Sequence, residues 1–491
     1  MLIATHELDV DSGSEQVYNA MDCALTHEIF TELKKQMPDA APAYSFELAL
    51  QAPVLEMMLR GFRVSPAARE LGIQSTKTEL ERLDFIIQTL ANAVWDRGLN
   101  PGSGPQLKEL FYDRLAIPPI VSYVKGERKF QMNRDTLEQI EDYFQARPIV
   151  NAILAHRDLT KQLEVLENEV DPDWRMRTTY NIGGTKAARF SSSKSPTGTG
   201  GNLQNITEGL RHIFIADPGY RLYGVDAEQS DSRMIGFMCG VLFDDWTYLD
   251  ACESDDLHTS VARMVWPNDL PWTGDLKKDR AIAESPFYRH FSYRDACKHL
   301  GHGVNFLGKP YTMSKGTHVP IKDIVAFGEK YFGAFSCLQK WQSWTAAELQ
   351  KHQRLVSIHG RHRDFFDRTN KDETIRKALA FLAAAPTADN LNLGMWRVWK
   401  HMPQVQLLAQ VHDAIYFQAR EELDPNEIHQ EVRRLMKTEL VAPNGRRFAV
   451  PTDAKIGYNW GNYIPPNEKK GLPERNPKGL RKFTVTLDSL H

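Results

Sequence analysis

Asp413 sits in the run Leu408-Ala409-Gln410-Val411-His412-Asp413-Ala414-Ile415-Tyr416-Phe417, where β-branched and aromatic residues flank a two-residue polar tip. The pattern predicts a hairpin that presents one carboxylate at its turn. Far upstream, Tyr220-Arg221-Leu222-Tyr223-Gly224-Val225-Asp226 is a second apolar strand that again ends on an aspartate. Two aspartates at neighbouring strand ends would hold a pair of divalent cations about 3.5–4 Å apart, which stabilises both the attacking and the leaving oxygen in phosphoryl transfer. The reading therefore requires these two strands to be neighbours.

A second constellation carries positive charge. On a helix, Arg294, Lys298 and His302 fall one turn apart along a single face. Such a row suits a triphosphate, with Lys298 as a point charge and Arg294 as a planar fork, and a solvated basic face is the plain alternative. Gly301 and Gly303 in the same stretch point to close approach by a ligand or to a hinge. Residues 354–377 form the densest basic patch, with Arg354, Arg361, Arg363, Arg368, Arg376 and Lys377 around Phe365 and Phe366, an electrostatic footprint for a polyanion. Ahead of Asp226, the polar segments around Arg189, Asn202, Gln204 and Asn205 suit contacts to phosphate and to minor-groove acceptors, or form a solvated loop.

These groups need a large scaffold. At 491 residues the chain exceeds what one core usually supports, so two to four subdomains are expected. Sixty Lys and Arg against 63 Asp and Glu give a net charge of −3, so any nucleic-acid site must be local. The five cysteines form no CxxC pair and fit a reducing compartment. No apolar run is long enough for a membrane span and no signal peptide is evident, so a soluble, unexported chain is expected. Residues 41–170 are mostly helical in pattern, with Ser103 placed to cap a helix after a Pro/Gly loop. Ala378 to Trp399 predicts a helix packed behind the Asp413 hairpin, and Pro451 to Trp460 closes the fold. Residues 465–491 read as a mobile basic tail.

Taken together, the motifs resemble the family A DNA polymerases, the DNA polymerase I family, over roughly residues 50–464. The resemblance rests on Ala188-Arg189-Phe190-Ser191-Ser192 with Asn202-Leu203-Gln204-Asn205-Ile206, Val225-Asp226 with Gln229 and Arg233, Asp256-Leu257-His258-Thr259, Arg294 with Lys298, Gln410-Val411-His412-Asp413, and Gly457-Tyr458-Asn459-Trp460, all in the family's order. It implies an α+β right-hand architecture: a palm with an antiparallel sheet, and helical fingers and thumb. The corresponding division is 41–174 thumb and N-terminal helices, 175–244 first part of the palm, 245–374 fingers, 375–464 second part of the palm, and 465–491 tail. The implied activity is template-directed addition of deoxynucleotides to a primer 3′ end. Asp226 and Asp413, with the carbonyl of Ala227, would be ligands to two Mg²⁺ ions, for which Mn²⁺ would substitute. Lys298, Arg294, His258, Gln229, Asp231, His302 and Phe306 would form the nucleotide site. Arg189, Asn202, Gln204, Asn205, Arg376 and His412 would line the primer–template, with Arg361 and Arg363 adding charge from the basic patch.

This chain departs from the family pattern at several positions. Ala414 follows Asp413 where the family usually has Glu, and Ala384 stands where a Gln is expected. Asp231 replaces the longer Glu that usually blocks the ribose 2′-OH, and the aromatic positions of the fingers helix fall on His302 and Phe306. Tyr18-x3-Asp22 resembles the last motif of the family's 3′–5′ exonuclease without its upstream partner. Residues 1–40 are therefore expected to be a remnant, with proofreading absent here or supplied by a separate protein. The expected setting is a phage-like enzyme in the bacterial or phage-infected host cytoplasm. The expected form is a monomer working with primer–template DNA, dNTPs and a separate exonuclease or processivity and replisome proteins, with no membrane partner. Two rivals share these residues, a non-catalytic primer–template binding protein and an RNA polymerase or reverse transcriptase on the same palm.

Overall fold

Val411 and Ala414 pair across the hairpin, leaving His412 and Asp413 as its tip. His412 takes a left-handed backbone, φ 54°, which turns the chain without a glycine. The computed structural model describes residues 14–36, 41–124, 127–254, 256–289, 291–467 and 472–484. In it the hairpin strands, Gln406–Val411 and Ala414–Arg420, form one edge of a nine-stranded sheet. Next come Tyr220–Ala227, Thr452–Gly457, Gly479–Lys482, Asn459–Asn462, Phe214–Ile215, Phe62–Val64 and Arg175–Met176, in that order. Asn459–Asn462 and Gly479–Lys482 run parallel; the neighbouring strands otherwise pair antiparallel.

Alternation along each strand divides the sheet's faces. Tyr223, Val225, Ile415 and Phe417 face helices Asp372–His401 and Pro425–Met436, where they pack on Leu391, Met395, Val398 and Val432. The rings of Tyr223 and Phe417 stack across the strands at 5.1 Å. Leu222, Leu408 and Tyr416 face the other way, with Phe62, Phe214, Leu480 and the buried Trp460. Gly224 is required between these layers, because a Cβ there would meet the Tyr416 ring at 3.0 Å.

Two helical lobes flank the sheet. One is built on helices Pro66–Asn92 and Arg147–Glu167, packed through Leu83, Ile87, Val150 and Ile153. Ser103 caps its next helix, its hydroxyl accepting from the Gln106 amide at 3.4 Å. The other lobe is inserted between strands Tyr220–Ala227 and Gln406–Val411, with helices Leu257–Val265, Tyr293–Asn305, Ile321–Ala334 and Ser336–His352 around Phe327, Tyr331 and Trp341. Four free cysteines are buried in that core, and Cys23 is exposed. Arg289 joins the two lobes through ion pairs to Glu141 at 3.0 Å and to Asp142. Among the described residues no helix is long and apolar enough to cross a membrane.

One terminal expectation changes. Residues 1–13 and 37–40 lie outside the described residues; Ser14–Gln36 is a helix on which Tyr18 and Asp22 are both exposed. The basic tail, expected to be mobile, instead contributes strand Gly479–Lys482 to the sheet. Leu480 is buried there, Lys482 pairs with Asp453 at 2.9 Å, and the Arg481 guanidinium lies over Tyr463. Lys469 and Lys470 lie outside the described residues.

His429 gives a stability prediction. It is fully buried between Tyr223 and Phe483, and neither ring nitrogen has a hydrogen-bond partner among the described residues. Burial, reinforced by Arg433, pushes its pKa down from 6.5 to about 4. The fold therefore favours the neutral ring: its stability contribution is complete above pH 6.5 and is lost as pH falls from there toward about 4. At about 1.4 kcal/mol per pKa unit, the loss is roughly 3–4 kcal/mol. His429→Phe should remove that part of the acid sensitivity, read as urea midpoints at neutral and mildly acidic pH for both proteins. An equal acid loss in the two would disprove it.

Candidate active site

Asp226 and Asp413 converge because their strands are neighbours. Ala414 is the direct cross-strand partner of Asp226, and the Ala227 amide donates to the Asp413 carbonyl at 3.1 Å. Three non-glycine residues in left-handed backbone surround this point, Ala188 at φ 60°, Gln229 at φ 49° and His412 at φ 54°. Such conformations cost energy and collect where a site fixes side-chain direction. Ala188 is held by Asn392, whose side-chain amide donates to its carbonyl at 3.2 Å. Asn392 in turn receives a hydrogen bond from the buried Gln410 at 2.8 Å.

The carboxylates differ in their partners. Asp413 receives Arg189 Nη2 at 3.2 Å and the Ser230 hydroxyl at 3.1 Å. The same Arg189 nitrogen reaches Asp231 at 3.2 Å. Burial opposes the Arg189 charge, but the two aspartates prevail and raise its pKa. Asp226 makes no ion pair among the described residues and is exposed by area, yet the surrounding protein desolvates it enough to raise its pKa. Lys455 pulls that value down, while the like charges of Asp413 and Asp453 push it up. Asp453 stands directly opposite Asp226 on the far side from Ala414. The row Ala414, Asp226, Asp453 thus carries its additional carboxylate two strands away from Ala414, on the other side of Asp226.

Beside the pair opens a cavity of about 420 Å³, within the range of small-ligand sites. Ala227, Gln229, Asp231, His258, Lys298, His302 and Asp413 all line it, so much of the sequence-derived nucleotide set is assembled in one place. Lys298 is exposed and makes no ion pair among the described residues. His258 is pushed down to about 4, first by burial and then by Arg294, so it is a neutral hydrogen-bonding group at pH 7. Burial also lowers the pKa of His302, whose ring packs on Phe306 at 4.8 Å. Phe306 itself sits behind the helix, against the core of the inserted lobe. Gly303 serves packing, since an added Cβ would meet the Met313 side chain at 2.7 Å, whereas Gly301 lines the cavity and an added Cβ there would make only ordinary contact with the Tyr331 hydroxyl at 3.4 Å.

Several expected ligand contacts are spent inside the protein. Arg294 does not line the cavity; it donates to Asp256 at 2.8 and 3.4 Å. Burial would raise the Asp256 carboxyl, but Arg294 and Thr259 hold it below the usual carboxylate range. Arg294→Ala would leave the buried Asp256 with the longer Arg280 contact at 3.6 Å and its Thr259 bonds, at a cost below the roughly 3–5 kcal/mol of a wholly unpaired buried charge. We expect a lower thermal midpoint for R294A and an unchanged one for K298A; an unaffected R294A would return Arg294 to a direct ligand role. Arg361 and Arg363, expected at DNA, are corrected by their partners. Arg361 is clamped between Glu47 at 2.6 Å and Asp389 at 2.8 Å. Arg363 lies over Phe365 and donates to the Lys377 carbonyl. Asn202 and Gln204 turn inward to Ser192, Phe190 and Gln410, whereas Asn205 and His412 are exposed. Arg376 lines a different cavity, at the end of the Tyr293–Asn305 helix.

The sheet with two strand-end aspartates on its edge hairpin and central strand, and a helical lobe on either side, has the right-hand fold of nucleic-acid polymerases. It shares that fold with the structure described as "POL domain of Pol1 from M. smegmatis complex with DNA primer-template and dNTP", with a TM-score of 0.67, 21% identity, and coverage of 84% of this chain and 69% of that one. The chain belongs to DNA polymerase family A, whose model matches residues 72–462. It is 26% identical over 432 residues to the thermostable DNA polymerase I of Thermus caldophilus, covering 84% of this chain and 47% of the relative. It is 27% identical over 437 residues to DNA polymerase I of Helicobacter pylori strain J99, covering 85% and 43%. The chain thus spans about half the length of the curated relatives it matches.

Proposed function

We propose that this chain is a DNA-directed DNA polymerase that adds deoxynucleotides to a primer 3′ end on a DNA template. The observation that carries the reading is that Asp226 lies within electrostatic reach of Asp413, which lines a cavity together with Lys298, His258 and His302. The donor set fits divalent cations: two carboxylates and the Ala227 carbonyl offer oxygen only, and Asp226 bears like-charge crowding that a cation would relieve. Bound Mg²⁺ or Mn²⁺ supplies charge neutralisation at the attacking and leaving oxygens. Among the described residues no cluster of three or more His, Cys, Asp or Glu forms a ligand shell, so the remaining ligands would come from substrate phosphates and water.

The protein's own task is positioning. Lys298 holds the triphosphate as a point charge, and the neutral His258 adds a hydrogen bond. Asp231, fixed by Arg189, faces the same cavity and is placed to meet the sugar. Asn205 and His412 remain open to the primer–template. The Tyr18–Asp22 helix is given no exonuclease role, because both side chains lie exposed with no acidic cluster beside them among the described residues.

Gel-resolved extension of a labelled primer, with dNTPs and NTPs tested separately in Mg²⁺, decides between the readings. Extension with dNTPs that stops on chelation supports the proposal. Tight DNA binding with no extension would leave a binding protein, and a preference for NTPs would make it an RNA polymerase.

A further inference from the structure

One nitrogen joins two acidic groups on the wall of the active cavity. Arg189 Nη2 donates to Asp413 Oδ1 at 3.2 Å and to the Asp231 carboxylate at 3.2 and 3.4 Å. Asp413 and Asp231 both line the cavity, the first as a cation ligand in the reading above and the second facing the sugar. A single guanidinium therefore touches the groups for two different tasks. The other oxygen of Asp413 accepts from the Ser230 hydroxyl at 3.1 Å, whereas Asp231 pairs with Arg189 alone among the described residues. A carboxylate on so short a stem obstructs a sugar only if it is held, and Arg189 holds it.

The backbone on both sides of Arg189 is fixed. Ala188 before it has a left-handed backbone, φ 60°, and its carbonyl accepts from Asn392 at 3.2 Å. Phe190 after it is buried, its carbonyl accepts from Gln204 at 3.3 Å, and its ring meets Tyr180 at 6.1 Å. The Tyr180 hydroxyl in turn accepts from the Gln410 amide and donates to the Gln410 carbonyl, both at 3.1 Å, on the strand that leads to Asp413. Arg189 and Asp413 are thus carried by one braced frame. The Arg189 Nε is buried without a partner among the described residues, so the grip on the two carboxylates runs through Nη2.

We infer that Arg189 is a positioning residue that couples sugar selection to the cation site, holding Asp231 against a ribose 2′-OH and tying any displacement of Asp231 to the Asp413 carboxylate. The inference rests on the polymerase reading above, and it moves Arg189 from the expected primer–template set to the nucleotide site. A 2′-OH that pushes on Asp231 pulls on the shared nitrogen and disturbs Asp413, so the penalty falls on kcat as well as on KM. A deoxyribose leaves the bridge undisturbed. An arginine that only completed the packing would affect both sugars alike.

The test measures kcat and KM for one dNTP and the matching NTP in single-nucleotide extension by the wild type, Arg189→Met, Arg189→Lys, Asp231→Ala and the Arg189→Met/Asp231→Ala double variant. Arg189→Met should lower the ratio of kcat/KM for dNTP over NTP by about tenfold or more, chiefly by removing the kcat part of the discrimination. Arg189→Lys keeps a cation that can touch both carboxylates and should hold the ratio within about threefold of wild type. Asp231→Ala should also lower the ratio, and the double variant should lower it no further than the stronger single, because the two residues act as a unit. An unchanged ratio in Arg189→Met or in Asp231→Ala, or additive losses in the double variant, overturns the inference. Equilibrium binding of the same nucleotides to a complex with a 3′-dideoxy-terminated primer, which cannot be extended, separates the two claims. A wild type that extends with a ratio indifferent to Arg189 keeps the polymerase reading and loses the coupling. A wild type that never extends, yet binds dNTP over NTP in an Arg189-dependent way, keeps the coupling and loses the polymerase reading.

Discussion

Asp413→Ala and Asp226→Ala should each reduce primer extension by at least about 10³-fold while the protein stays folded and still binds primer–template. Both carboxylates stand on paired strands whose register is set by the apolar rows beneath them, so removing a side chain does not move the sheet. Stability should hold or rise in Asp226→Ala, because Asp226 is desolvated and crowded by Asp413 and Asp453; Asp413→Ala also removes the bonds from Arg189 and Ser230, so its thermal midpoint should fall modestly, with Arg189 keeping Asp231. A protein that gains stability and loses its chemistry in one substitution carries that group for function. The pair is read together by thermal midpoint, DNA affinity and single-turnover extension. Loss of extension that merely tracked unfolding would contradict the assignment, as would activity within tenfold of wild type.

The second large effect is expected at Lys298. Its ammonium reaches the cavity without an ion pair among the described residues, so its charge is available to a ligand. Lys298→Ala should lower kcat/KM for dNTP by at least about 10²-fold, the usual loss when one charge-stabilising donor is removed. Affinity for primer–template should change little. Lys298→Arg should recover part of the activity, since a planar guanidinium keeps the charge but changes the geometry. An equal loss of DNA affinity and nucleotide use would move Lys298 to the duplex instead.

Local pattern foretold the parts of the site that local pattern controls. The two-residue hairpin tip, the aspartate at the end of Tyr220–Ala227 and the helix over Arg294, Lys298 and His302 follow from alternation and helical spacing, and each appears in the structure. Ser230 was readable only as a neighbour of Gln229; its bond to Asp413 depends on where the hairpin lands. What could not be read was partnership across distance. Arg361 looked free in a basic stretch because Glu47 lies 314 residues away in sequence, and a count of charges does not see it. Arg294 looked like a phosphate ligand because its buried partner Asp256 sits on another helix start. Asp453 gave no signal, since its place beside Asp226 is a matter of sheet register. The tail misled for a similar reason: Gly479–Lys482 is short and basic, and only its pairing with Thr452–Gly457 makes it a strand. These internal pairings bear on Arg294 of the expected nucleotide set and on Arg361 and Arg363 of the expected DNA set.

Anomalous diffraction from crystals grown with primer–template, a non-hydrolysable dNTP and Mn²⁺ tests the central claim most directly. The account predicts manganese peaks within bonding reach of both the Asp226 and Asp413 carboxylates, with the triphosphate running toward Lys298. A bound nucleotide with manganese located elsewhere, touching neither carboxylate, would contradict it.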